Sequence, residues 1–458
     1  MSDLIVSVSG VRGIIGDSLT PENIFKYSSA FTEFCRKHSK SKRIVVGRDG
    51  RLHGDIISGM VISNLTLMGY QVINIGVVPT PTVQIATEET RSAGGIAITA
   101  SHNPQMWNGL KFLKSNGTFL EGKEIEELKN IAKEGKFKFE TVKKLRPVID
   151  DNTWIKKHIE LVLSQKLVNV RKIRDRNFKI VVDSVNSAGS VIIPMLLRRL
   201  GCRVIEMFCN SSGIFPHTPE PIPENLEALS RMVVKRKADL GIAIDPDSDR
   251  MVIIDEHGKP FGEENTIVTV VRYILKNTKG KNKNVTVNLS TTRAVEKNAS
   301  LFGGKVFRSP VGEINVVKEM KKNGSIIGGE GSGGVIYPKV HYGRDAVAGV
   351  ALALQEFASF DGEVSEYKNE ISKFYISKAK ITGVKNPDSV LNKIIRKYKN
   401  EDCKITTKDG VKLDFENYWV HVRKSNTEPI LRVITEAEGK KVTEKLQNEF
   451  LREVKKVI

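Results

Sequence analysis

Residues 239–250 read DLGIAIDPDSDR, an apolar run that ends abruptly in three carboxylates at alternate positions. Two other stretches have the same form, GGIAITASHNP at residues 94–104 and GSIIGGEGSGG at residues 324–334. Near-continuous apolar strands of this kind are typical of a parallel sheet that is covered on both faces. Because ligands of open α/β sheets bind beyond the carboxyl ends of the strands, all three loops are candidate functional elements.

The sequence ahead of each stretch repeats as well. A β-branched run opens each repeat, RIVVGRD at 43–49, KIVVDSV at 179–185 and NVTVNLS at 284–290. A helix-length segment follows, and a second strand comes after a glycine in LMGYQVI at 67–73, LGCRVI at 200–205 and LFGGKVF at 301–307. The pattern predicts three related α/β domains with mixed, largely parallel sheets.

The C-terminal part of the chain breaks this pattern. Asp409 and Gly410 lie between alternating runs and predict a hairpin turn. Further runs at 418–422 and 430–435 predict strands, and the segment from Lys440 to Val457 predicts an amphipathic helix. We therefore expect a last domain of α+β type, and we place the four domains at residues 1–150, 151–256, 257–368 and 369–458.

The composition is that of an ordinary folded protein. Of the 458 residues, 40% are hydrophobic and 27% are charged, which excludes a largely disordered chain, a collagen-like repeat and a membrane bundle. The longest apolar stretch, Ala346 to Leu354, is far short of the roughly 18 residues of a membrane-spanning helix. The run Leu4 to Val8 is too short for a signal-peptide core, and the four cysteines form no metal-binding pair. We expect reduced thiols, a cytoplasmic location and no membrane partner.

The 72 basic and 53 acidic residues give a net charge of +19. Such a charge can attract either nucleic acid or small phosphorylated substrates. The basic residues are spread along the chain, and the sequence has no helix-turn-helix, zinc finger or clustered basic arm. We therefore do not expect nucleic-acid binding.

Asp245, Asp247 and Asp249 can converge on one hard cation, because carboxylate oxygens are the ligands that Mg²⁺ and Ca²⁺ prefer. A calcium EF-hand is excluded, since Arg250 stands where that loop needs a glycine and the flanking segments are predicted strands. An acidic turn that caps a strand remains the alternative. Arg250 would lie beside any phosphoryl group bound at such a cation.

Ser101 is a candidate nucleophile, because a tight turn at the end of a strand exposes a hydroxyl to a ligand. His102 follows directly, but adjacent side chains on an extended turn point apart, which argues against a serine–histidine couple. The alternative is a helix that starts at Pro104, with Ser101 or Asn103 as its cap. Lys111 is either a cation that reaches back to this turn as a proton carrier or a surface lysine.

Residues 328–334, GGEGSGG, contain too many glycines for a helix and lack the lysine of a P-loop. Glu330 and Ser332 offer an acceptor and a donor that suit the vicinal hydroxyls of a sugar, and a flexible hinge is the alternative. Residues 423–429, RKSNTEP, combine donors that suit a phosphate dianion, namely Arg423, Ser425, Asn426 and Thr427. A polar turn with a solvated arginine is the alternative there. Arg12, between two glycines, is a further candidate phosphate contact.

Together and in this order, the four loops resemble those of the α-D-phosphohexomutase superfamily, of the phosphomannomutase/phosphoglucomutase type. The family's catalytic-serine loop resembles residues 99–104 with their continuation to Lys111, and its D-x-D-x-D-R metal loop resembles residues 245–250. Its G-E-x-S-G sugar loop resembles residues 329–333, and its R-x-S-N/G-T-E-P phosphate loop resembles residues 423–429. The resemblance covers essentially the whole chain and implies four domains around a central active-site cleft.

The resemblance also implies an isomerase that interconverts hexose 1- and 6-phosphates, of glucose, mannose or both, through a phosphoserine and a bound hexose bisphosphate that also serves as activator. It implies one Mg²⁺ held by Ser101, Asp245, Asp247 and Asp249. The implied catalytic residues are Ser101, His102, Lys111, Arg12 and Arg250. The implied substrate-binding residues are Glu330, Ser332, Arg423, Ser425, Asn426 and Thr427. A homodimer remains open.

The chain departs from the family pattern at Gly334, where many bacterial relatives have a histidine directly after the S-G of the sugar loop. A proton-transfer role of that histidine does not carry over, and Arg12, His102 and Lys111 remain the candidates for moving a proton. Two alternatives to a glucose or mannose phosphate mutase stay open. One is a phosphoglucosamine mutase, and the other is a Mg²⁺-dependent sugar phosphatase that uses Ser101 and the same carboxylates but releases phosphate to water.

Overall fold

The computed structural model describes residues 4–424 and 430–456. These residues form two compact units, which we call the first unit (residues 4–266 and 333–367) and the second unit (residues 267–332 and 368–456). Every helix in the described ranges is too short or too polar to cross a membrane. Residues 425–429 of the predicted phosphate loop lie outside the described residues, and so does Val457 at the end of the predicted C-terminal helix.

The N-terminal part of the first unit is built on a mixed seven-stranded sheet. Its strands are β1 (Ile5–Ser7), β2 (Gly10–Ile14), β3 (Arg43–Arg48), β4 (Gln71–Val77), β5 (Gly94–Ile98), β6 (Trp107–Lys114) and β7 (Ile149–Asp150). Its helices are α1 (Pro21–His38), α2 (Gly54–Leu67), α3 (Thr80–Glu89) and α4 (Gly122–Glu134), followed by a 3-10 turn at Val142–Lys144. The order is β1-β2-β6-β5-β3-β4-β7, in which β5, β3, β4 and β7 are parallel.

Helix α1 shows how the sequence builds this layer. It begins at Pro21 after Thr20, whose hydroxyl accepts a hydrogen bond from the Asn23 N–H group. Its inner face buries Phe31, which stacks on Phe112 of β6 with 4.8 Å between the ring centroids. This packing holds β6 against α1, and β6 pairs with β5. The turn that joins β5 to β6 therefore starts from a well-packed part of the sheet.

The next part of the first unit has a four-stranded sheet of order β11-β10-β8-β9, in which only β11 is antiparallel to its neighbour. Its elements are α5 (Trp154–Leu163), α6 (Val170–Arg176), β8 (Lys179–Asp183), α7 (Gly189–Arg199), β9 (Arg203–Met207), α8 (Glu227–Arg236), β10 (Leu240–Ile244) and β11 (Met251–Asp255), with a 3-10 turn at Pro223–Asn225. The acidic loop 245–250 joins β10 to β11, so both of its flanks are strands, as predicted.

The third repeat follows the same plan. Its elements are α9 (Glu263–Asn277), β12 (Asn284–Asn288), α10 (Ala294–Ser300), β13 (Lys305–Ser309), α11 (Glu313–Asn323), β14 (Ile327–Glu330), β15 (Gly334–Ile336), α12 (Ala346–Phe357) and α13 (Val364–Ile371). Strand β12 pairs in parallel with both β13 and β14. The predicted strand–helix–strand topology is confirmed in all three repeats.

The C-terminal part of the second unit is an antiparallel five-stranded sheet of order β16-β20-β19-β18-β17. Its elements are β16 (Phe374–Thr382), α14 (Pro387–Tyr398), β17 (Lys404–Thr406), β18 (Val411–Asp414), β19 (Tyr418–Lys424), β20 (Ile430–Glu438) and α15 (Lys440–Lys456). Asp409 and Gly410 lie in the turn between β17 and β18, and Gly410 has φ 69°, so the predicted hairpin is confirmed. The predicted α+β character of this domain is confirmed as well.

Helix α12, which contains the longest apolar stretch, is fully buried and is capped by Asp345. One carboxylate oxygen of Asp345 accepts hydrogen bonds from two N–H groups of the first turn. The other lies 2.9 Å from Nε2 of His158 in α5, and Nδ1 of His158 lies 2.8 Å from the hydroxyl of Thr82 in α3. Burial alone would raise the pKa of Asp345, but His158 and His341 hold it well below its ordinary value. This chain of contacts joins three helices of the first unit.

Replacing Asp345 by alanine should destabilise the first unit by about 2–4 kcal/mol. About 1 kcal/mol comes from the lost helix cap, and about 1–3 kcal/mol comes from leaving a buried imidazole without its acceptor. Asn169→Ala is the matched control, because Asn169 caps α6 from an exposed position and its loss removes a cap alone. Calorimetric unfolding of the two variants measures the difference, and equal losses would contradict a role for the histidine contact.

Candidate active site

Ser101 lies buried in the turn between β5 and β6. Its φ of 50° is in the left-handed region, which residues other than glycine seldom adopt. Its hydroxyl donates to Oδ2 of Asp245 over 3.2 Å, and its N–H group donates to Oγ1 of Thr99 over 2.8 Å. The chain passes from this turn directly into β6, so the alternative of a helix that starts at Pro104 is wrong.

A buried ion pair between Arg51 and Asp49 holds this turn. Arg51 Nε donates to Asp49 Oδ2 over 3.1 Å, and Thr99 Oγ1 donates to the same oxygen over 2.6 Å. The other two guanidinium nitrogens donate to four carbonyl oxygens of the turn, those of Ser101, Asn103, Pro104 and Trp107. Because the guanidinium is planar and rigid, these bonds fix the backbone that presents the serine hydroxyl.

The acidic loop supplies three fully buried carboxylates, and, apart from the Ser101 hydroxyl, the hydrogen-bond donors around them engage one oxygen of each. Oδ1 of Asp245 accepts from two N–H groups of its own loop, at 3.1 Å each. Oδ2 of Asp247 accepts from Nζ of Lys111 and from Oγ1 of Thr80, at 2.6 Å each. Thr80 opens helix α3, so the loop is braced by the N-terminal part of the same unit.

The third carboxylate, Asp249, has its Oδ2 2.6 Å from Nη2 of Arg344. Oδ1 of Asp247 and Oδ1 of Asp249 are buried and accept no hydrogen bond from any described residue, while Oδ2 of Asp245 faces Ser101. One oxygen from each aspartate lies within 4.8 Å of the other two, so the three can hold a metal ion. Buried orphan carboxylate oxygens are the donor set expected of a hard divalent cation.

The carboxylates repel one another in this buried setting. Burial raises the pKa of Asp245 well above its ordinary value, and the charges of Asp249 and Asp247 raise it further. Burial alone would also raise the pKa of Asp247, but the ammonium of Lys111 and the hydroxyl of Thr80 lower it below its ordinary value. A divalent cation would relieve the remaining repulsion.

Lys111 and Arg250 supply positive charge at the trio. Lys111 is 2% exposed and lies between Asp247, at 2.6 Å, and Asp249, at 3.7 Å, so the alternative of a surface lysine is wrong. Arg250 Nε lies 3.6 Å from Oδ1 of Asp249. Both cations therefore contact the aspartates that the sequence pattern singled out.

Arg12 and His102 border the serine turn. Nη1 of Arg12 donates to Oδ1 of Asn103 over 3.2 Å, and burial lowers the pKa of Arg12 to about 10. Nδ1 of His102 lies 3.5 Å from the Ser101 hydroxyl, so the expectation that these side chains point apart is wrong. The reason is the left-handed backbone at Ser101, which turns successive side chains toward one face. Burial and the charges of Arg250 and Arg12 lower the pKa of His102 well below its ordinary value.

Glu330 and Ser332 belong to the second unit, at the end of β14 and in the loop that follows. Glu330 is buried, and its Oε1 accepts from Nδ2 of Asn288 over 2.8 Å and from the Gly312 N–H group over 2.9 Å. The flexible-hinge alternative does not fit a carboxylate that is held on two sides. Gly312 has φ 117°, a conformation that favours glycine, which lets its N–H group face Glu330.

Arg423 is the described member of the predicted phosphate loop, while Ser425, Asn426 and Thr427 lie outside the described residues. Arg423 is 4% exposed, so the solvated-arginine alternative is wrong for this side chain. Its Nε donates to Oδ2 of Asp409 over 3.1 Å, and the Val311 N–H group donates to the same oxygen over 2.9 Å. Its Nη2 is buried without a hydrogen-bond partner among the described residues, as a group reserved for a ligand would be.

The sequence pattern around Arg51 already suggested a structural ion pair, which the contact with Asp49 confirms. Sequence reasoning missed three other residues that hold these side chains in place, namely Thr80, Arg344 and Asp409. Arg344 and Asp345 precede the longest apolar stretch, and a charged pair at the start of a buried helix is a signal that could have been noticed. Thr80 has no such signal, because only the tertiary fold brings the start of α3 to the acidic loop.

Comparison with known protein families matches most of the chain. Residues 3–139, 156–258 and 263–375 match phosphoglucomutase/phosphomannomutase alpha/beta/alpha domains I, II and III, and residues 378–453 match the C-terminal domain of the same family. All four candidate loops fall within these matches.

Individual relatives agree with this assignment. The chain is 36% identical over 435 residues to a phosphoglucomutase/phosphomannomutase of Thermococcus kodakarensis, covering 94% of each chain. It is 35% identical to a probable phosphoglucosamine mutase of Methanopyrus kandleri, covering 98% of this chain and 97% of the relative. A crystal structure of a phosphoglucomutase/phosphomannomutase family protein from Burkholderia thailandensis has the same fold, with a TM-score of 0.86 and 24% identity over 99% of this chain and 98% of that one. The chain belongs to the phosphoglucomutase/phosphomannomutase family.

Proposed function

We propose that this chain is a phosphohexomutase, an isomerase that interconverts the 1- and 6-phosphates of a hexose through a phosphoryl group carried on Ser101. The observation that carries the proposal is the placement of the Ser101 hydroxyl, buried and 3.2 Å from Asp245 within the trio of aspartates. A hydroxyl at this place can exchange a phosphoryl group beside a bound cation, and water has little access to it.

Mg²⁺ is the cation that fits best, because hard oxygen ligands favour it and phosphoryl substrates complete its coordination. Asp245, Asp247, Asp249 and the oxygen on Ser101 would hold it. When bound, Mg²⁺ neutralises negative charge on the phosphoryl oxygens.

The chain's own residues position the phosphoryl group and move the proton. In the first transfer, the bond between phosphorus and Ser101 Oγ breaks as a sugar hydroxyl forms a new bond to phosphorus, and that hydroxyl loses its proton. His102 is our candidate for taking the proton, since its Nδ1 lies 3.5 Å from Ser101 Oγ. Arg12 and Arg250 would bind the phosphoryl oxygens. The second transfer returns the other phosphate of the bisphosphate to Ser101 and restores the proton.

Three further residues would bind the substrate away from the reacting phosphate. Glu330 suits the sugar hydroxyls, because its carboxylate is fixed by Asn288 and Gly312. Ser332 would add a donor. Arg423 suits the phosphate that is not reacting, because Asp409 fixes its Nε and leaves Nη2 to a ligand.

The sugar is the open part of this proposal. A glucose or mannose phosphate is our first choice, in line with the Thermococcus kodakarensis relative. A glucosamine phosphate is the second, because relatives of 32–35% identity are named phosphoglucosamine mutases. We further propose that a hexose bisphosphate primes the enzyme by phosphorylating Ser101. A homodimer stays a prediction.

Incubation with the 1-phosphates of glucose, mannose and glucosamine tests the function directly. Each reaction contains Mg²⁺ and a trace of the corresponding bisphosphate, and the readout is the sugar 6-phosphate formed. We expect turnover of at least one of the three. Release of free phosphate without any isomerised sugar would instead identify a sugar phosphatase.

Ser101→Ala should lower kcat by about 10⁴-fold or more, because it removes the atom that carries the phosphoryl group. Ser300→Ala is the matched control, since Ser300 is an exposed serine at the end of α10 and its variant should keep full activity. Transfer of ³²P from labelled bisphosphate to the protein gives a second readout. Labelling of the Ser101→Ala protein to the wild-type level would mean that the carrier lies elsewhere.

Asp247→Asn should weaken Mg²⁺ binding by about 100-fold and lower activity in parallel, because a charged ligand becomes neutral. Asp239→Asn is the matched control, since Asp239 precedes β10 at its other end and is exposed. Calorimetric titration with Mg²⁺ measures the affinity of each variant. An unchanged Mg²⁺ affinity of Asp247→Asn would remove the aspartates from the metal site.

A further inference from the structure

Arg344 is a buried arginine that lies outside the four candidate loops. The residue is 9% exposed, and its Nη2 donates to Oδ2 of Asp249 over 2.6 Å. The backbone on its C-terminal side is anchored twice. The Asp345 N–H group donates to the Val335 carbonyl over 2.8 Å, and the Ala346 N–H group donates to the Ser248 carbonyl over 3.1 Å. The loop before α12 is therefore fixed in the position from which Arg344 reaches the acidic loop.

Gly334 lies directly against the stem of this arginine. A Cβ atom built on Gly334 would stand 2.3 Å from Cδ and 3.0 Å from Cγ of Arg344, which is closer than real Cβ atoms come. The backbone of Gly334 is that of an ordinary strand residue and not left-handed, in contrast to Gly333 with φ 87°. Glycine is therefore required at 334 because a Cβ atom would clash with Arg344, and not because of the backbone conformation. A side chain at 334 and Arg344 in its present place exclude each other.

The contact with Arg344 decides how Asp249 is oriented. The guanidinium occupies Oδ2 and leaves Oδ1 buried without a hydrogen bond from any described residue, 3.6 Å from Nε of Arg250. One oxygen of Asp249 lies within 4.8 Å of an oxygen from each of the other two aspartates. Lys111, which fixes Asp247 at 2.6 Å, is 3.7 Å from Asp249 and is too far to do the same there. Without Arg344, the Asp249 carboxylate would lose the hydrogen bond that fixes its rotation.

We propose that Arg344 is a positioning residue that orients Asp249 for a divalent cation, and that Gly334 is a glycine because it makes room for Arg344. The proposal rests on the assignment of the aspartate trio as a metal site in the proposed function. It gives a physical reason for the glycine at position 334. The space beside Gly334 is filled by the side chain of Arg344, which comes from the loop before α12 and hydrogen-bonds to Asp249.

A double-mutant cycle tests the coupling of the two residues. The variants are Arg344→Ala, Gly334→Ala and the double variant, and the readout is Mn²⁺ affinity by electron paramagnetic resonance of the full-length protein. Arg344→Ala should weaken Mn²⁺ binding by about 10- to 100-fold, as expected for loss of a residue that orients a metal ligand. Gly334→Ala should weaken it to a similar degree, because the added methyl displaces the arginine. The double variant should be no worse than Arg344→Ala, since the methyl then meets no side chain.

Arg203→Ala is the matched control, because Arg203 is an exposed arginine at the start of β9 and its loss should leave Mn²⁺ affinity unchanged. A role of Arg344 in stability alone predicts a lower unfolding temperature with unchanged Mn²⁺ affinity, and this result would overturn the proposal. Additive losses in the double variant would overturn the coupling to Gly334. If Arg344→Ala does not fold, Gly334→Ala alone decides, because wild-type affinity in that variant contradicts the proposal.

The cycle also separates this inference from the proposed function. If Mn²⁺ binding to the wild-type protein does not depend on Asp247, the metal site itself is wrong. If binding depends on Asp247 and is unaffected by Arg344→Ala, the metal site stands and the role of Arg344 fails.

Discussion

Three carboxylates buried side by side are the constraint on which the candidate site depends. Burying a charge costs free energy unless it is paired, and burying three like charges in one place multiplies that cost. Each carboxylate has its own hydrogen-bond donors. Two backbone N–H groups donate to Asp245, Lys111 and Thr80 donate to Asp247, and Arg344 donates to Asp249. These donors take one oxygen of each carboxylate. The other oxygen accepts from Ser101 in Asp245 and accepts no hydrogen bond from the described residues in Asp247 and Asp249.

Because each carboxylate has different donors, the residues of the site come from distant parts of the sequence. Lys111 comes from β6, Thr80 from the start of α3, and Arg344 from the loop before α12. All three belong to the first unit. There, β5 ends in the serine turn and β10, in the next sheet, ends in the acidic loop. The repeated strand–helix–strand plan therefore places polar loops at equivalent strand ends. Contacts between segments of the first unit then surround the serine turn and the acidic loop with their charged partners.

The sequence was sufficient for the fold class, the three related repeats and the aspartate trio, because these depend on local patterns such as apolar strands, glycines before strands and alternating carboxylates. It was insufficient where the outcome depends on tertiary contacts. His102 faces Ser101 because of one left-handed residue, which no pattern in the sequence indicated. Lys111 is buried because a carboxylate from a different repeat lies 2.6 Å away. The domain borders placed from composition remain predictions.

The four hydrogen bonds from Arg51 to backbone carbonyl oxygens between Ser101 and Trp107 limit which sequence changes this segment can accept. Because the guanidinium is rigid, it can bind these four oxygens only at their present spacing. Side chains from Ser101 to Trp107 can be substituted without changing that spacing. An inserted or deleted residue would break several of the hydrogen bonds at once. Evolution of the turn is thus confined to substitution. Length variation among such proteins should accumulate in surface segments that no buried cation spans.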